Sequence, residues 1–144
     1  ALNYMRASGL YPQTIPFVVL LDQEMRIDTR YGGSSEEAMK ELAASGIEFD
    51  FIEMTCMKPV DWRTIQSSLE RTHKLIILDE SPRTGGVGAT LSAIVSENLF
   101  DELDAPVMRL CMEAAPVPYA GEMEKEVVKR ASDLVEAAKF MCGA

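Results

Sequence analysis

Histidine is nearly absent from this 144-residue chain: His73 is the only one. No H-E-x-x-H or other metal spacing can be built on it, and no G-x-S-x-G elbow accompanies it. Zinc-protease and serine-hydrolase chemistry therefore drop out, and His73 reads as a surface or helix-capping residue. Cysteine is sparse: Cys56, Cys111 and Cys142 lie far apart and form no C-x-x-C pair. Such a set fits a reducing compartment in which thiols pack as small apolar groups. Positive charge is scarce as well, with 14 Lys and Arg against 23 Asp and Glu and a net charge of −9. No basic cluster relieves it, so neither nucleic acid nor an anionic membrane is expected as a partner; the acidity reads first as plain solubility, with a basic partner as the other reading. Charges interrupt every apolar run before the ~20 residues of a membrane span. Residues 1–9 lack the apolar core of a signal peptide.

What the chain does have is an ordinary globular balance, 47% hydrophobic and 26% charged, and a length suited to one domain with a core of its own. Residues 1–15 carry Gly9 and Pro12 and read as an arriving linker, which implies something upstream; residues 16–144 read as the domain. An apolar run at 17–21 and the alternation of Met25, Ile27, Thr29 and Tyr31 predict two strands, and their short connection predicts an antiparallel hairpin. Ser34 and Glu37 make a capping box for a helix carrying Ala38 and Leu42, closed by Gly46. A strand over 47–54 follows. Asp61 caps a helix with Trp62, Ile65 and Leu69 on one face. The unbroken run 75–78 suits a strand buried on both sides of a parallel sheet. A loop at 81–88 opens a helix with Leu91, Ile94, Val95 and Leu99 inward, and Pro106 opens a strand over 107–112. The spacing of Met123, Val127, Ala131, Leu134, Ala138 and Met141 predicts one last helix from about 122 to 141. This order of strands and helices predicts a sheet covered on both faces.

Thr84-Gly85-Gly86-Val87-Gly88-Ala89 is the strongest local pattern, because glycines between a strand and a helix can present amides to an anion. Leu91 stands where a dinucleotide fingerprint needs its third glycine, and no P-loop lysine follows. The preferred reading is that the glycines let the helix approach its strand or a neighbouring chain; a small-anion site at Gly85–Gly88 is the other. Asp79 and Glu80 end a buried strand, where α/β sites form. Asp101, Glu102 and Asp104 form either a solvated loop or an acidic docking patch. Tyr119, in the stiff Pro116-Val117-Pro118-Tyr119 segment, is a loop anchor or, in an oligomer, an interface residue.

Several of these stretches together resemble one family. They are Lys58-Pro59-Val60-Asp61-Trp62-Arg63-Thr64-Ile65, His73-Lys74-Leu75-Ile76-Ile77, Arg83-Thr84-Gly85-Gly86-Val87-Gly88-Ala89, Leu103-Asp104-Ala105-Pro106-Val107 and Ala115-Pro116-Val117-Pro118-Tyr119-Ala120. In order and spacing they are similar to the C-terminal, transketolase-type domain of the beta subunit of pyruvate and related 2-oxo acid dehydrogenases. The resemblance implies a three-layer α/β/α sandwich on a five-stranded mixed sheet with one antiparallel strand. It implies a non-catalytic assembly and docking domain of a thiamine-dependent oxidoreductase, with thiamine diphosphate and magnesium held by other domains and no catalytic, cofactor or metal residue in this chain. Implied partners are a second copy (a homodimer), the alpha subunit and the dihydrolipoyl acyltransferase. The acidic docking role falls on Asp104 with Asp101 and Glu102, and the interface or loop role on Arg83, Thr84, Gly85, Gly86, Gly88 and Tyr119. The implied location is intracellular, in cytoplasm or mitochondrial matrix. The chain departs from the family at Glu53-Met54-Thr55-Cys56 and Ala114, where polar residues are usual. It also departs at Val128-Lys129-Arg130, where the family has a Leu-Pro step. Those departures define the alternative, a redesigned stand-alone α/β scaffold without activity.

Overall fold

A computed structural model describes residues 15–20, 35–54, 58–116, 118–127, 129 and 131–143. Among these residues four strands make one sheet: β1 (Ile15–Leu20), β2 (Phe49–Met54), β3 (Ile76–Pro82) and β4 (Met108–Met112). Their order is β2-β1-β3-β4 and every neighbouring pair is parallel. The helices α1 (Ser35–Ala44), α2 (Trp62–Thr72) and α3 (Val87–Asn98) are the crossovers, and α4 (Gly121–Val127) and α5 (Ala131–Cys142) close the chain.

Adjacent residues of a strand point to opposite faces, and the core divides accordingly. Phe51 and Ile76 pack with Ala38 and Leu42 of α1 and Leu134, Val135 and Ala138 of α5. Their neighbours Ile52 and Ile77 pack on the other face with Ile65 and Leu69 of α2 and Leu91 and Val95 of α3. The result is a three-layer α/β/α sandwich. Each fully buried Leu, Ile or Val contributes about 1.5–3 kcal/mol, and Leu69, Ile76, Ile77 and Val95 have no exposed surface. The chain steps one way from β1 to β2 and the other way from β2 through β3 to β4. Crossovers of a single hand then require helices on both faces.

The caps follow the sequence. Asp61 accepts the Thr64 N–H at 3.3 Å and its hydroxyl at 2.7 Å, which ends α2 at its amino side. Gly46, with φ of +72°, closes α1 in the left-handed conformation, which allows the Ile47 N–H to reach back to the Leu42 carbonyl at 3.0 Å. One buried charge lies under α2: Asp50 of β2 accepts the Ser68 hydroxyl at 2.7 Å and pairs with the Arg71 guanidinium.

Two expectations are corrected. The hairpin is not formed beside β1, because both edges of β1 are occupied, by β2 along its whole length and by β3 over residues 17–19. The segment expected as its partner, 25–31, lies outside the described residues, as does Ser34 of the capping box. The single last helix is two, with Lys129 non-helical between α4 and α5. The apolar stripe is used only in part: Leu134 and Ala138 are buried, whereas Met123 is 61% exposed.

Candidate partner-docking and subunit surfaces

In a parallel sheet, loops sort by end. Residues 83–88 and 113–120 follow β3 and β4 and sit at the carboxyl end. His73 and the stretch 99–107 precede the same strands and sit at the amino end. Five strand residues separate the ends by roughly 17 Å. The residues singled out in the sequence therefore fall on two separate surfaces.

The carboxyl end is built around Asp79, a carboxylate 5% exposed. Its Oδ1 accepts the Ser81 N–H at 2.8 Å, and its Oδ2 accepts the Gly88 N–H at 2.6 Å and the Ser81 hydroxyl. The position that an anion would take at the start of α3 is filled by the chain's own carboxylate, so the small-anion reading of this loop is overturned. The glycines serve close approach instead. A Cβ on Gly88 would stand 2.8 Å from Asp79 Oδ2, and one on Gly86 would stand 2.5 Å from the Pro82 carbonyl. The same contacts make the loop a poor seat for a diphosphate, and no cluster of three metal-binding side chains occurs among the described residues. Arg83, Thr84 and Gly85 are exposed at the loop's tip, while Gly86 and Gly88 are buried beneath it. Tyr119 is exposed over its full surface, 106% of the reference value, so among the described residues it anchors no loop.

The amino end carries the acidic residues. Asp101 lies in a 3₁₀ turn, Phe100–Glu102, and it and Asp104 are exposed, with Glu102 half-buried. His73 ties this stretch down. It caps α2 in the left-handed conformation, with φ of 55° and its N–H on the Leu69 carbonyl. Its own carbonyl accepts the Asp104 N–H at 2.8 Å, and its Nδ1 lies 2.9 Å from the Glu102 carbonyl. That carbonyl can only accept, so Nδ1 carries the proton. Leu103 and Val107 plug the loop into the core between α2 and α3. Asp101 and Asp104 are thus presented on a fixed backbone. The sequence marked His73 as a surface or capping residue but not its hold on the acidic loop; its place between a helix end and a buried strand is the signal for the cap alone.

Comparison with known proteins fits this architecture. The sequence profile of the family described as "Transketolase, C-terminal domain" matches residues 33–134. The chain belongs to that family. Among curated proteins it is similar to the pyruvate dehydrogenase E1 component subunit beta of Staurastrum punctulatum, 42% identical over 106 residues, 74% of this chain and 32% of the relative. It is similarly related to the chloroplastic subunit beta-2 of Arabidopsis thaliana, 41% identical over 106 residues and covering 26% of that protein. The chain thus matches about a third or less of these relatives' length. A solved structure titled "Split gene transketolase, inactive beta4 tetramer" shares the fold, with a TM-score of 0.69 over 91% of this chain and 40% of that one at 22% identity. This is a transketolase C-terminal domain similar to that of pyruvate dehydrogenase beta subunits, and no helix among the described residues is long and apolar enough to cross a membrane.

Proposed function

We propose that this domain is a non-catalytic assembly and docking module of a thiamine-dependent 2-oxo acid dehydrogenase beta subunit. The observation that carries the reading is the division of surfaces. An exposed acidic loop is held rigid by His73 at one end of the sheet, and an exposed aromatic, Tyr119, stands at the other. The acidic end, through Asp104 with Asp101 and Glu102, takes the basic binding domain of the dihydrolipoyl acyltransferase. The carboxyl end, through Tyr119, Arg83, Thr84 and Gly85, meets a second copy, with Gly86 and Gly88 shaping the loop from beneath. The alpha subunit joins the same assembly. Thiamine diphosphate and magnesium belong to other domains in this reading. A fifth, antiparallel strand completes the sheet at an edge other than those of β1. The compartment is intracellular, cytoplasm or mitochondrial matrix, to which the chloroplastic relatives add the plastid.

Surface plasmon resonance with an immobilised acyltransferase binding domain tests the docking role. Asp104→Lys reverses a charge at the contact and is expected to weaken binding at least tenfold and to flatten its salt dependence. Unchanged binding removes Asp104 from the site, and no binding by the unaltered chain removes the docking role.

A further inference from the structure

Arg83, placed above on the surface for a second copy, has a cationic neighbour, Arg109, that neither surface uses. Arg109 interrupts β4, between Met108 and Leu110, and its Nη1–H donates to the Arg83 carbonyl at 2.9 Å. Arg83 reciprocates with its own Nη1–H to the Arg109 carbonyl at 3.4 Å, while its main-chain N–H is held by the Met112 carbonyl at 2.9 Å. Each side chain thereby reaches across to the other's main chain where β3 and β4 end. Neither makes an ion pair with a carboxylate among the described residues.

Burial, and then the charge of Asp79, push the Cys111 thiol pKa up, and Arg109, Arg83 and Lys129 pull it down. The described carboxylates there are already engaged. Asp79 accepts three bonds of its own loop, and Glu113 lies 4.0 Å from Lys129. Guanidinium groups retain further N–H donors in a planar fork that matches the oxygens of phosphate or carboxylate. Arg83 is exposed and Arg109 half-buried, so a small ligand can reach both.

We propose that Arg83 and Arg109 form a binding site for a small oxyanion, a phosphate or carboxylate group, at the carboxyl end of β3 and β4. The site is separate from the start of α3, which Asp79 fills, and it does not depend on the docking role. It is tested by NMR titration of the full chain with inorganic phosphate, and separately with acetate, at constant ionic strength. The expected result is saturable shifts of the Arg83 and Arg109 side-chain N–H signals, weakened about tenfold or more by Arg109→Gln. Arg109→Lys is expected to fall between, since it keeps the charge and loses the fork. If Arg109→Gln fails to fold, Arg83→Gln, on an exposed residue, carries the same expectation. Shifts that never saturate, or equal affinity in Arg83→Gln and the unaltered chain, overturn the site. Absence of saturation together with a halved solution mass for Arg83→Glu also overturns it, and assigns the guanidinium groups to a carboxylate of a second copy.

Discussion

The Gly88 N–H donates to Asp79 Oδ2 at 2.6 Å, which fastens the first turn of α3 to the end of β3. The bond requires that residue 88 have no side chain, since a Cβ there would also stand 3.2 Å from Ile77 Cγ2 in the buried layer. Gly88→Ala is therefore expected to lose about 1–3 kcal/mol, the range for overpacking a tight site. Urea denaturation reads this directly; a midpoint equal to that of the unaltered chain would contradict the close packing described.

Asp61 supplies a pH dependence. The Thr64 hydroxyl and then the Thr64 N–H hold its carboxyl below the ordinary 3.8. A folded-state value below the unfolded one means that the unfolded chain binds the proton first as pH falls. The cap's contribution is therefore full above about pH 4 and is lost as pH drops through the lowered value. Asp61 is exposed and well solvated, so Asp61→Ala is expected to cost only about 0.5–1 kcal/mol at pH 7. The difference from the unaltered chain should shrink as pH falls below the ordinary carboxylate value; thermal melts across the acid range measure it, and a difference independent of pH would count against the cap.

Cys111, 4% exposed on β4, has its thiol pushed up chiefly by burial. Thiolate is the reactive form, so the native chain at neutral pH should leave Cys111 unmodified by a maleimide and expose it only on unfolding. Mass spectrometry of peptides from briefly treated protein decides this. Rapid native labelling would mean that the β3–β4 end opens readily.

The sandwich was legible because its signals are local. Asp61 caps α2 as its spacing predicts, Gly46 closes α1, and the run 75–78 lies in the doubly covered centre of the sheet. The errors arose where tertiary partners decide. A short polar connection after β1 suggested a hairpin, but β2 and β3 compete for the same edges and occupy them. The stripe from Met123 to Met141 has helical spacing throughout, yet Leu134 and Ala138 of α5 are buried in the core while Met123 of α4 is exposed.

The surfaces were legible in a different degree. The acidic trio and Tyr119 stood out by residue type, but their placement at opposite ends of the sheet emerges only from strand direction. Arg109 was overlooked, although a lone cation between Met108 and Leu110 is a visible anomaly in an apolar strand. Asp50 was missed in the same way: a carboxylate between Phe49 and Phe51 signals a partner, and Ser68 and Arg71, 18 and 21 residues onward, answer it across the helix–sheet interface.

Assembly is the claim on which the account most depends, and solution mass by light scattering across a concentration series measures it most directly. The account predicts a dimer that persists on dilution into the micromolar range and falls to monomer in Tyr119→Lys. A monomer at every concentration would contradict it and would favour a stand-alone scaffold with the family's fold and without its interfaces.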